Sequence, residues 1–172
     1  MAKAWRPLSL LTIVALIGLG GLLAANSSAT GLPDELKAKV DFKVIYPTGG
    51  NFQLLADSYH YLDQTKTLVF KALTNGQTVN LSEQATPPFF DLESVVASAS
   101  QTLTEGKGYR LIESKLGQAA ITNFYSEKSL TKIGQSAILN SNGTLLTVQL
   151  PTGIQWGQAE WENFFNHLAV GK

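Results

Sequence analysis

The sequence predicts an α+β protein: an N-terminal transmembrane helix, then a mostly antiparallel, twisted sheet covered by a C-terminal amphipathic helix. Residues 8–25 (LSLLTIVALIGLGGLLAA) form an uncharged apolar run. Asn75-Gly76 and Asn142-Gly143 each separate two segments rich in alternating apolar residues. Asn-Gly tolerates the positive φ that tight hairpins require. Near the C-terminus, Trp161, Phe164, Phe165 and Leu168 recur at i, i+3, i+4 and i+7, a single stripe that a helix must bury. Strands with one apolar face, plus a helix to cover it, make a layered fold.

A helix over residues 8–25 rises about 27 Å at 1.5 Å per residue, close to the roughly 30 Å hydrocarbon core of a bilayer. Lys3 and Arg6 precede the run, and no acid occurs before Asp34. This asymmetry predicts residues 1–7 in the cytoplasm, a single-pass anchor at the cell membrane, and the C-terminal domain outside. Ser27-Ser28-Ala29 offers an alternative, cleavage before Thr30 as in a signal peptide, but the run is longer than a usual signal core. Residues 26–31 (NSSATG) are a short polar linker that keeps the domain over 32–172 close to the membrane surface.

Composition narrows the classes. The chain has no cysteine, which excludes disulfides, a cysteine-linked lipid and thiolate zinc. Of 13 basic and 13 acidic residues, only Lys3 and Arg6 precede Asp34, so the outer portion is slightly acidic. A nucleic-acid partner would want a basic surface. The domain is long enough for one real core.

Residues 33–40 (PDELKAKV) read as a short helix, with Pro at its start and acids in the first turn. Residues 42–46 (FKVIY) alternate and read as a strand, stopped by Pro47 and Gly49-Gly50. Residues 52–61 form a strand that pairs ahead of the first hairpin, 67–73 with 77–81. Residues 117–125 (GQAAITNFY) form another, before the second hairpin, 136–140 with 145–150. The Ala/Ser-rich stretch 92–103 begins as a helix. The closing helix stops at Gly171.

These pieces, in this order, resemble a family of bacterial extracytoplasmic domains of unknown function. Its members sit outside the membrane anchor of anti-sigma-factor-like proteins or on a single anchor alone. The matching segments are LPDELKAKVDFKVIYP (32–47), TLVFKALTNGQTVNLSEQATP (67–87), ESKLGQAAITNF (113–124) and AILNSNGTLLTVQL (137–150), with the closing helix. Before the anchor stand only residues 1–7, in place of the cytoplasmic domain of the anti-sigma-like members. The resemblance implies a fold and a location; it implies no catalytic residues.

The residues themselves point away from chemistry. The histidines are His60 and His167, and there is no HExxH. On a strand, Asp57 and Asp63 fall on the face opposite His60, which also faces away from Tyr59 and Tyr61. No GxSxG elbow is present, and Gly106-x-Gly108 lacks the strand-to-helix context of a phosphate loop. Asp91 and Glu93 read as first-turn acids of a helix. We therefore expect no catalytic, cofactor-binding or metal-binding residues. The candidate contact is Pro87-Pro88-Phe89-Phe90, where prolines stiffen an extended path and adjacent rings point in opposite directions. The expected function is a non-enzymatic binding, sensing or scaffold domain at the bacterial cell envelope, tethered through residues 8–25, with an envelope protein as possible partner. The alternatives are a lipid or lipoprotein carrier, which needs an apolar cavity between sheet and helix, and a cell-wall hydrolase, which needs converging acids or a Ser-His pair.

Overall fold

The computed structural model describes residues 32–102, 109–125 and 132–171, with the side chains of 98–102 excepted. The anchor at 8–25 and Gly106-x-Gly108 lie outside the described residues. Among the described residues, no helix is long and apolar enough to cross a membrane.

Helix α1 (Asp34–Lys37) leads into β1 (Val44–Pro47). A three-stranded meander follows: β2 (Phe52–Leu62), β3 (Thr67–Thr74) and β4 (Gln77–Ala85). Helix α2 (Leu92–Thr102) then carries the chain to a second meander, β5 (Arg110–Ser114), β6 (Gly117–Tyr125), β7 (Lys132–Ser141) and β8 (Thr144–Gln149). Helix α3 (Gln158–Asn166) and β9 (Leu168–Gly171) close the chain. The two meanders join along β4 and β8 into one seven-stranded antiparallel sheet, ordered β2-β3-β4-β8-β7-β6-β5. A second, two-stranded sheet pairs β1 with β9.

Both Asn-Gly hairpins form as their chemistry dictates. The two loop residues are Asn75 (φ 47°) with Gly76 (φ 74°), and Asn142 (φ 54°) with Gly143 (φ 81°). Positive φ at both loop positions makes turns whose twist matches that of the flanking strands. The turns set the register: Thr74 faces Gln77, and Ser141 faces Thr144.

Alternation then sorts side chains onto one face. Leu68, Phe70 and Ala72 of β3, Val79 and Leu81 of β4, Leu146 and Val148 of β8, and Ala137 and Leu139 of β7 lie in register across the sheet and are buried. Helix α3 covers this face with Trp161, Phe164 and Phe165, all at 0 % exposure. Trp161 stacks on Phe165 at 5.7 Å and meets Trp156 edge-on at 4.8 Å. Fully burying each such ring contributes about 1.5–3 kcal/mol, so the stripe is the keystone of the layer.

Several expectations shift. The closing helix ends at Asn166; Leu168 and Gly171 belong to β9, not to the stripe and its stop. The cause is β1, whose edge offers Leu168–Gly171 a strand partner. Strand β1 runs through Pro47, which sits at its end. The helix expected at the start of 92–103 extends through Thr102. Strand β5 was not foreseen: five residues with a single buried side chain, Ile112, carry little pattern.

Candidate functional site

At one end of the sheet the apolar face turns polar. Along β6, Ala119 and Ile121 are core residues, and the next on that face is Asn123. Along β7, Leu139 and Ala137 are followed by Gln135. Asn123 and Gln135 are direct cross-strand partners, and Arg110 of β5 lies in register with Ile121. Together with Tyr109, Lys132, Gln155, Trp156 and Gly157 these residues line an open cleft of about 580 Å³. That is the size range of small-molecule sites.

The floor of the cleft is fixed by a directional chain of hydrogen bonds. The Trp156 backbone N–H donates to Gln135 Oε1 at 2.6 Å. Gln135 Nε2 therefore points the other way and donates to Asn123 Oδ1 at 3.1 Å. Because a backbone N–H can only donate, the orientation of both amides follows. Asn123 is left with its Nδ2 hydrogens for the cleft. Leu150 N–H donates to the Gln135 carbonyl at 3.0 Å and Gly153 N–H to the Ile133 carbonyl at 2.9 Å, which hold the 150–156 loop against the start of β7.

Two cations stand over this floor, Arg110 and Lys132. Desolvation, and after it the Arg110 charge, holds the Lys132 ammonium below the usual lysine range. Among the described residues neither cation has an ion pair; the pair that is present joins Lys37 to Asp34. Burial raises the Tyr109 phenol at the cleft wall. The sequence reading singled out none of these residues. The legible signal was parity: two apolar rows that end in Asn123 and Gln135.

A second polar cluster is structural. Glu83 lies in the core row of β4, between Leu68 and Leu146, at 0 % exposure. Both its oxygens accept the Ile45 N–H, at 3.1 and 3.2 Å. Thr144 Oγ1 donates to the Lys43 carbonyl. Residues 43 and 45 of an extended chain point their polar groups to one side. The edge of β1 that β9 leaves open is thus held by two side chains from the large sheet. Desolvation drives the Glu83 carboxyl well above its ordinary range, and the Ile45 hydrogen bond opposes this without winning. Burying a lone carboxylate costs several kcal/mol, whereas one hydrogen bond to it returns about 1.5–3. Tyr59 is raised too, first by burial, then by Glu83 and Tyr46. Its hydroxyl and the Trp161 Nε1 are buried without a hydrogen-bond partner among the described residues.

The residues weighed for chemistry lie on three different elements, β2, the start of α2 and the end of α3. His60 is exposed on the outward face of β2, opposite Val69. His167 Nδ1 lies 2.7 Å from the Asn163 carbonyl at the end of α3, with its ring against Phe52. Asp91 accepts from the Glu93 and Ser94 backbones and the Ser94 hydroxyl, capping α2. None of the four, His60, His167, Asp91 or Glu93, lines the cleft. No group of three potential metal ligands occurs among the described residues.

Pro87-Pro88-Phe89-Phe90 is a turn and not an extended path: Phe90 N–H donates to the Pro87 carbonyl at 3.1 Å. Phe89 sits at φ 64°, a strained conformation for a bulky side chain, and is 96 % exposed. Phe90 is half-buried, and both prolines are exposed.

Comparison with protein-family models, with curated proteins and with solved structures finds no match.

Proposed function

We propose that this protein is a membrane-anchored, extracytoplasmic binding domain without enzymatic activity, tethered through residues 8–25, whose recognition site is the polar cleft. The observation that carries the reading is where the cleft stands. Lys43, which leads from the buried Val40 and Phe42 into β1, is bonded to Thr144 at the start of β8. The cleft lies beyond the other end of that strand, beside Leu150 and Trp156. Six strand residues at about 3.4 Å each separate the two by roughly 20 Å. The segment that leads into β1 is thus fastened at the end of the sheet away from the cleft, which leaves the cleft free to meet ligand or partner. The turn at residues 87–90 follows β4 at the Thr144 end of the sheet and offers Phe89 as a second contact for the membrane or an envelope partner. Among the described residues, the space between α3 and the sheet is filled by Trp161, Phe164 and Phe165, which leaves a lipid-carrier reading without its cavity.

The absence of native cysteine supplies the test. Gln155→Cys at the exposed cleft rim is the only thiol in the chain. A membrane-impermeant maleimide should label it on intact cells or protoplasts, and a thiol-directed photocrosslinker there should capture envelope neighbours. Labelling only after lysis would reverse the topology and end the envelope reading.

A further inference from the structure

We propose that the cleft binds an oxyanion, the carboxylate or phosphate of a small organic ligand, between the Arg110 guanidinium, the Lys132 ammonium and the Asn123 side-chain amide. This deepens the binding reading and rests on the cleft being the recognition site. It does not rest on the membrane tether.

The argument is the sign of the donor set. Arg and Lys carry donors and no acceptor. Asn123 has one acceptor atom, and Gln135 Nε2 donates to it, which turns the Asn123 oxygen toward Gln135. Gln135 in turn is committed because Trp156 N–H holds its oxygen. Arg110, Lys132 and Asn123 therefore turn donors to the cleft, while the Gln155 amide and the Tyr109 hydroxyl, which also line it, can donate as well as accept. Among the described residues no carboxylate lines the cleft; Glu160 stands beside Gly157, with Oε2 at 2.8 Å from where a Cβ would be. Two like charges close enough for Arg110 to depress Lys132 are a repulsive arrangement in the free protein. A bound anion converts that repulsion into two attractions, and Arg adds a planar fork matched to carboxylate or phosphate. The cleft is larger than a bare anion needs. Tyr109 and Trp156 supply wall for the uncharged body of the ligand.

Purified full-length protein in detergent is titrated at low salt with glucose 6-phosphate, glucuronate and glucose. Binding is read by the NMR shifts of the Asn123 side-chain amide and the Trp156 backbone amide. Saturable binding of at least one anion, and none of glucose, is expected. Which anion binds decides between phosphate and carboxylate. Arg110→Ala and Lys132→Met should each raise Kd tenfold or more, and added salt should weaken binding. Arg110 is exposed and Lys132 half-buried, and an unchanged melting temperature confirms that each variant folds. No saturable shift with either anion, equal binding of glucose, or variants that bind like the native chain would overturn the proposal. None of these outcomes bears on the cell-surface labelling of Gln155→Cys, so the two readings fail separately.

Discussion

Replacing Glu83 with Gln should remove a pH dependence from the stability of the whole fold. Glu83 is fully buried between Leu68 and Leu146 and has one backbone N–H for company. Its carboxyl therefore keeps its proton in the native state well above the ordinary value of 4.5, at which the unfolded chain releases it. Between these two values the native state binds one proton more than the unfolded state. Stability falls as pH rises through that window, by about 1.4 kcal/mol per pH unit. Below about pH 4 both states hold the proton and the slope from this group vanishes. The loss continues at this rate for as long as the native carboxyl keeps its proton. For a chain of this size each pH unit in the window is worth about 3–6 °C in Tm. Gln keeps an oxygen for the Ile45 N–H and has no proton to release. The assay is urea unfolding at half-unit steps from pH 4 to 8 for both proteins, with all other titrating groups cancelling in the difference. The native chain should lose stability relative to Glu83→Gln across the window. Parallel profiles, or a native chain that gains on the variant as pH rises, would refute the reasoning.

Phe164→Ala should cost about 3–5 kcal/mol, since Phe164 is fully buried and touches Phe52, Trp156, Trp161 and Phe165; calorimetry would show a large fall in Tm. Gly143→Val should cost at least about 1 kcal/mol in chemical denaturation, because Gly143 holds φ 81° in the hairpin turn, although open space surrounds it. Phe89→Gly should leave stability unchanged or raise it by up to about 1 kcal/mol, because relief of the left-handed backbone outweighs the added freedom of the unfolded chain; a clear fall would show that the Phe89 ring packs on something. Glu83→Leu, in contrast to Gln, should cost about 1–3 kcal/mol in the same urea assay by leaving the buried Ile45 N–H without an acceptor.

What was legible in the sequence was local. Asn75-Gly76 and Asn142-Gly143 announce their hairpins because the φ requirement is met within two residues. The stripe Trp161, Phe164 and Phe165 announces its helix because 3.6-residue periodicity is written along the chain. Asp91 reads as a helix-start acid for the same reason, and its carboxylate caps α2. By contrast, Leu168 fits the helical stripe equally well and becomes a strand residue because β1 is waiting beside it. Pro87-Pro88 reads as stiff and extended, yet the chain turns there and Phe89 is left in water.

The sequence by itself determined the apolar N-terminal run, the thiol-free composition, two hairpins and a helix with a face to bury. Each of these depends on neighbours within a turn or two of chain. Only the tertiary structure decided that β4 and β8 join the meanders, and that Glu83 and Thr144 hold the open edge of β1. It alone brought Arg110, Asn123, Lys132, Gln135 and Trp156 around one cleft. Those residues lie on separate strands and a loop, and the direction of each donor is passed from one side chain to the next across them. Such relations arise from sheet register, which no stretch of local pattern contains.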